Sequence, residues 1–340
     1  MKSFSHTKRY SLVISLAGGI FLFFCAIAPM AQAISISPPR LEINGDPGRT
    51  IESQFKLTNE SSSPTTYYTQ VENFESNDES GNPQFVQSQD GLATWINVPS
   101  SFTLAGNEQK TIPFTVQIPR GTDPGGYFAS IFVRTTPPPT QAGEVSIGAR
   151  LGTLVLLTVN GDIQEGVDIL EFSTKSKSHF FTSLPVEFYY RFQNTGADRV
   201  KPAGDILIKD IVGLTAKILN ANRTEGSVLP RSIRRFESPW ISGGGGQEDP
   251  NLEVEARNPA GFFGEAKYEL SHFAFGWYTA HLNIIYGTKN TPANGTFQFF
   301  VLPWQLLTIV VVGLLLLIII LRFLFKRYNR YIISKAQQKM

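Results

Sequence analysis

The chain has 340 residues, 42% hydrophobic and 17% charged, with a formal net charge of +2. Three of its 30 basic residues lie before Ala33 and six after Leu302, which leaves 21 basic against all 28 acidic residues, a net −7, in between. An acidic central region with a single cysteine in the whole chain, Cys25, argues against nucleic acid or anionic lipid as a partner and against a disulfide scaffold.

The first element is a targeting segment. Lys2, Lys8 and Arg9 precede an apolar run from Ser11 to Met30, which ends in Ala31-Gln32-Ala33. A basic start, an apolar stretch and an A-x-A site make residues 1–33 a secretory signal peptide. Two alternatives stay open. The long apolar run could remain as an anchor. Leu22-Phe23-Phe24-Cys25 could be a lipoprotein site, although bulky Phe24 stands where a small residue is wanted. Cleavage after Ala33 would remove Cys25 and leave Ile34 as the new terminus.

Residues 34–301 read as β throughout. Thr50–Asn59 alternates, with Ile51, Ser53, Phe55 and Leu57 on one face and Glu52, Gln54, Lys56 and Thr58 on the other. Thr111–Gln117 repeats that period, and Pro113 makes it an edge strand or a bulge. Trp95–Val98 is a short strand. Arg150–Asn160 is apolar enough for a central strand. Turn chemistry separates these runs at Asp46-Pro47-Gly48, Asp123-Pro124-Gly125-Gly126, Asn194-Thr195-Gly196 and Lys201-Pro202-Ala203-Gly204. No long helical period appears outside the two ends. Short strands between regular turns favour a sandwich.

An internal repeat suggests two such sandwiches. Gly125–Val133 and Gly276–Ile284 share the pattern G-x-Y-x-A-x-[IL]-x-[VI]. Upstream, Phe55–Asn59 resembles Tyr190–Asn194, each an alternating strand ending at an asparagine able to close a turn. The predicted fold class is therefore all-β: tandem Ig-like β-sandwich domains over 34–162 and 163–301. Three loops stand out: polar Glu75–Gln84, proline-rich Pro137–Gly143, and Ser242–Pro250 with its four glycines, which reads as a mobile linker.

The last element, residues 302–325, is a transmembrane helix. Leu302–Leu321 carries no charge, Trp304 lies at its start, and Arg322, Lys326, Arg327 and Arg330 follow. The basic tail 326–340 then lies in the cytoplasm and the β region outside. A sortase signal would need Thr-Gly where Gln305-Leu306 stand.

Catalytic constellations are missing from the sequence. It has no His-x-x-x-His, no G-x-S-x-G and no phosphate loop, so the predicted protein is not an enzyme and carries no cofactor. Glu248-Asp249 and Glu253-x-Glu255 are the candidate carboxylate pairs for hydrolysis, and Asn77–Gly81 is a weak calcium loop without the D-x-[DN]-x-[DN]-G spacing. The cluster Arg231, Arg234 and Arg235 reads as a solvated strand face. Trp240, Phe262, Phe263 and Trp277 read mainly as core; any left exposed would suit carbohydrate or protein contact.

The N-terminal half resembles the peptidoglycan-binding domain of bacterial WxL-interacting proteins. The resemblance rests on Ile36-Ser37-Pro38-Pro39, Pro47-Gly48 before a strand ending at Asn59, and the polar loop Ser76–Asn82. Trp95-Ile96-Asn97-Val98, Ile118-Pro119 and Pro124-Gly125-Gly126-Tyr127 continue it. The second half looks more like membrane-proximal Ig-like domains of related surface proteins, through Pro202-Ala203-Gly204, Val228-Leu229-Pro230 and Gly276-Trp277-Tyr278. The resemblance implies a non-catalytic, membrane-anchored surface protein that binds cell-wall polymer or another surface protein. Asn77, Asp78, Glu79, Gly81 and Trp95 are its candidate binding residues. The alternative is a scaffold or chaperone-like subunit acting through β-strand addition.

Overall fold

The computed structural model describes residues 34–87, 89–137, 150–249, 251–254 and 261–337, the last seven without side chains. The signal peptide, the segment from Pro138 to Gly143, Glu255 and the end of the basic tail lie outside them. By its contacts the chain forms two units. One comprises Met1–Asn73, Val86–Thr122 and Tyr127–Leu157, the other Phe74–Phe85, Asp123–Gly126 and Thr158–Met340.

The first sandwich is built from β1 (Ile34–Ser37), β2 (Arg40–Gly45), β3 (Thr50–Asn59), β4 (Thr65–Ser76), β5 (Pro83–Val86), α1 (Leu92–Trp95), β6 (Ile96–Asn97), β7 (Ser101–Leu104), β8 (Gln109–Gln117), β9 (Gly125–Arg134) and β10 (Arg150–Val159). One sheet has the order β1-β3-β8-β6, the other β2-β10-β9-β4-β5, with β7 on β4. Period-two alternation decides which side chains are enclosed. Phe55, Leu57, Ile112, Phe114 and Val116 are buried from the first sheet, Tyr67, Ile131, Val133, Val155 and Leu157 from the second.

The second sandwich contains β11 (Val167–Thr174), β12 (Phe180–Phe181), β13 (Val186–Asn194), β14 (Ala203–Asp210), β15 (Thr215–Asn220), β16 (Ile233–Trp240), α2 (Gly261–Ser271), β17 (Gly276–Tyr286) and β18 (Thr291–Val301). Its sheets run β11-β13-β16 and β12-β18-β17-β14-β15. Aromatics dominate the core: Phe188, Tyr190, Phe192, Phe236 and Trp240 face Leu282, Phe297 and Phe299 from the opposite sheet. The two strand orders correspond. β1-β3-β8 matches β11-β13-β16, and β10-β9-β4 matches β18-β17-β14, so the repeated sequence patterns occupy equivalent strands, β9 with β17 and β3 with β13. The shared Ala, Ile/Leu and Val/Ile positions are the inward face: Ala129, Ile131 and Val133 in one unit, Ala280, Leu282 and Ile284 in the other, all buried.

Two sequence expectations need correction. Trp95–Val98 is not one strand: a helical turn, α1, ends at Trp95 and a two-residue β6 follows. A further helix, α2, occupies Gly261–Ser271, where no helical period was expected. Helix α3 (Trp304–Gln337) follows β18 directly. Within its stretch Trp304–Arg330 an 18-residue window has mean hydropathy 3.0 and none of that window is buried, so the helix is long and apolar enough to cross a membrane.

Each sandwich is pinned by one fully buried asparagine. Asn59 accepts from Ser61 N (3.1 Å) and Tyr67 Oη (3.0 Å) and donates to Ser63 O and Ala105 O (both 2.9 Å). Asn194 accepts from Gly196 N (2.9 Å) and donates to Asp198 O (2.7 Å) and Val228 O (3.0 Å). Asn194→Ala leaves three backbone groups without that partner, each costing about 1–3 kcal/mol where water cannot reach it. We expect urea unfolding of the β region to show a loss of about 2–4 kcal/mol, and a similar loss for Asn59→Ala. A loss under about 0.5 kcal/mol at both sites would mean that these turns close without the side chains.

Candidate functional site

The polar loop named from sequence is tightly hydrogen-bonded. Asp78 accepts from Ser80 N (2.9 Å) and Ser80 Oγ (2.6 Å), and these bonds hold its carboxyl below the usual range. Asn77 is exposed beside it. The Glu79 carboxylate accepts from Arg191 Nε (3.0 Å), and its carbonyl accepts from Arg235 N (2.8 Å). Gly81, at φ 78°, lies against the Arg234 guanidinium so closely that a Cβ there would collide with it. These four residues belong to the second unit. Trp95 belongs to the first, half-buried with its ring centroid 4.7 Å from that of Tyr127.

Hydrogen bonds from Arg191 lower the Glu79 pKa. A carboxyl depressed by folding stabilises above its unfolded pKa, and that gain disappears as the pH falls through the folded value. Both side chains are about one-third exposed, so the gain is under about 1 kcal/mol. Melts between neutral pH and pH ~3 should show Glu79→Gln losing less stability on acidification than the parent. Coincident curves would mean that the pair adds nothing.

Of the carboxylate pairs, Glu248 is a structural group. It is buried with Lys217, Nζ to Oε2 at 3.7 Å, and it accepts from Ser242 Oγ (2.7 Å) and from the Ile241 and Ser242 amides (both 3.2 Å). The glycine segment beside it is tied to a sheet and does not run free as a linker. Ile218 N donates to Gly246 O (3.1 Å) and Glu248 N to Ile218 O (2.8 Å). We expect Lys217→Met to cost about 3–5 kcal/mol by stranding a buried carboxylate, and added Glu248→Gln to restore most of it. An unchanged melt in Lys217→Met would remove Glu248 from the structural account.

The arginine cluster is only partly a solvated face. Arg234 donates to Ser227 O (2.9 Å) and burial lowers its pKa, while Arg235 sits 3.9 Å above the Tyr189 ring. Arg231 alone is exposed. Trp240 is core, whereas Phe262, Phe263 and Trp277 are exposed. Among the described residues no group of three or more His, Cys, Asp or Glu side chains could hold a metal ion.

Sequence reasoning marked an edge or bulge at Pro113 but did not single out β18, and the edges differ in how they are closed. On β8, the bonds Asn59 N to Glu108 O and Ile118 N to Arg49 O direct even-numbered residues toward β3. Gln109, Thr111 and Pro113 therefore face outward, beyond the two positions that β6 covers, and Pro113 has no N–H to offer. β15 is met by Gly246–Glu248 at Ile218, and β16 by the single bond from Arg235 N to Glu79 O. β11 is bulged at Leu170.

β18 is different. Phe300 N donates to His179 O and Leu302 N to Phe181 O (both 2.8 Å), so even-numbered residues of β18 turn their backbone groups outward. β12 covers only Phe300 and Val301, and His179 Nδ1 donates to Gln298 O (2.6 Å). Among the described residues no strand pairs the outer edge from Pro292 to Gln298. That edge presents the N–H groups of Asn294, Thr296 and Gln298 and the C=O groups of Pro292, Asn294 and Thr296, while Phe297 and Phe299 anchor the strand in the core.

No protein-family model matches the chain, and no curated protein matches it. Solved structures do. A class 5 fimbriae chaperone, CfaA, is 11% identical over 80% of this chain and 100% of its own, with TM-score 0.38. The E. coli chaperone DraB is 12% identical over 79% and 97%, at 0.34. A Salmonella enterica SafA pilin–SafB chaperone complex matches at 9% identity over 80% and 98%, at 0.35. Scores of this size fall below what a shared fold requires, and the sandwich assignment stands on the sheet orders themselves.

Proposed function

We propose that the protein is a non-catalytic, membrane-tethered scaffold or chaperone-like subunit. It holds an extended segment of another surface protein by adding it as a strand to the outer edge of β18. What supports this reading is the seven-residue run Pro292–Gln298, unpaired among the described residues, whereas β8 is interrupted by proline, β11 is bulged, and β15 and β16 are met by other segments. Added strands gain affinity from main-chain hydrogen bonds, each worth about 0.5–1.5 kcal/mol net. Selectivity would then fall to side chains on either side of the added strand, with Leu170 and Phe172 of β11 nearby on the second sheet. The tether is α3, with the β domains on the outer side and Lys326–Arg330 on the inner.

The test is Thr296→Pro. This position points its N–H outward, so proline removes an edge donor and leaves the β17 ladder intact. We expect a parent-like melt, at least about tenfold weaker capture of the partner segment from envelope proteins, and loss of hydrogen-exchange protection at Asn294 and Gln298 in the captured complex. Unchanged capture by a folded Thr296→Pro protein would reject this edge. Retention of the ectodomain on purified peptidoglycan, lost on replacing Asn77–Gly81, would favour the wall-polymer reading instead.

A further inference from the structure

The second sandwich has two unlike ends. β17 pairs with β18 from Gly276↔Val301 at one end to Tyr286↔Thr291 at the other, and β14 meets β17 with Asp210 opposite Tyr278. The β14–β15 turn therefore projects past Tyr278 in the direction in which β18 runs into α3. The turn at that end is apolar and exposed: Ile211 79%, Val212 73% and Leu214 67%. Asp210 builds it, its Oδ1 accepting from Val212 N (3.0 Å) and Leu214 N (2.9 Å). The turn at the opposite end, Gly287-Thr288-Lys289-Asn290, is polar.

More apolar surface surrounds the start of α3. Trp277, 56% exposed, packs on Phe300 at 5.0 Å between ring centroids, and Phe180 and Phe275 pack on the same ring at 5.6 and 6.4 Å. Phe262 of α2 contacts Trp304 at 5.8 Å. Along α2 the exposed residues Phe263, Lys267 and Leu270 recur at helical spacing, two apolar groups with a lysine that can reach upward between them. Glu269, on the buried side, accepts from Leu306 N (2.7 Å), which fixes α2 to the first turn of α3.

We infer that this end of the second sandwich is a lipid-docking face. The β14–β15 turn, the Trp277–Phe300 cluster and the Phe263–Leu270 stripe sit in the interfacial layer of the bilayer that α3 crosses. The inference rests on α3 being a span. Three structurally separate elements present large apolar side chains at the one end where the chain enters the apolar helix, and polar ones at the far end. Tryptophan and phenylalanine beside a span match the chemistry of the headgroup–acyl boundary, where an apolar body is buried to ~5–10 Å. The face carries little positive charge, so it needs no anionic lipid.

The test uses the full chain in phosphatidylcholine vesicles, with Cys25→Ser as background and single fluorophore-labelled cysteines at Val212, Phe263, Trp277, Lys289 and Val312. Lipids carry a nitroxide either near the headgroup or deep in the acyl chain. The β17–β18 hairpin puts Lys289 about 30 Å from Gly276, so it reports the far end. We expect the shallow nitroxide to quench emission at 212, 263 and 277 by about half or more and to leave 289 unchanged, with 312 quenched by the deep one. Quenching at 312 with none at 212, 263 and 277 overturns the docking face and keeps the span. No quenching at 312 overturns both. Labels at 212 and 263 shielded from water only when several copies share a vesicle would make the face a contact between chains, and would also overturn it.

Discussion

The architecture depends on one arrangement used twice: an asparagine at the end of a central strand that is wholly buried yet fully hydrogen-bonded. In each sandwich the strand must leave the core and turn within four residues. Its last side chain takes the amide two residues on and the carbonyl four residues on, which replaces the ladder bonds the turn interrupts. The second amide hydrogen reaches a carbonyl from a distant segment, Ala105 in one unit and Val228 in the other. A local turn is thereby locked to a long-range contact. A leucine of similar size would fill the space and leave these groups unsatisfied. The residues packed between the sheets of the second unit are then apolar and aromatic.

Much of this was legible in sequence because it is periodic. Strand β3 occupies Thr50–Asn59 as the alternation requires, and Pro113 sits on an outward-facing position of β8. The repeat G-x-Y-x-A-x-[IL]-x-[VI] was readable because small and branched residues recur where two sheets must approach, at Ala129 and Ala280. The asparagines could be recognised as turn closers but not as buried ones, since burial depends on what the other sheet brings.

What escaped is set by tertiary placement. Helix α2 has only Ala266 and Glu269 buried, so its exposed face is as apolar as its inner one and no amphipathic stripe betrays it. Glu248 looked like half of a carboxylate pair in a free loop because Lys217, its partner, lies on β15, thirty-one positions earlier in sequence. Glu79 and Gly81 looked like free recognition groups because their partners, Arg191 and Arg234, are more than a hundred residues away. Sequence shows a polar residue; only the fold shows whether it is already engaged.

The lipid-docking face and the open edge of β18 constrain each other. A β-strand rises about 3.4 Å per residue, so Gln298 lies ~10 Å and Pro292 ~30 Å along the strand from Val301. If the end near Val301 rests on the bilayer, the edge begins within about one headgroup layer of the surface and climbs away from it. A segment added there is presented close to the membrane, at a height fixed by the seat and not by the length of a flexible stalk. The covered edges serve the same end. Gly246–Glu248 occupies the backbone groups of Ile218 on the opposite edge of the same sheet, which on the proposed reading would leave β18 as the edge for association. On the proposed reading, seating at one end, the uncovered edge of β18 and closure at β15 would together make the second sandwich a directional holder of extended chain, which none of the three would do alone.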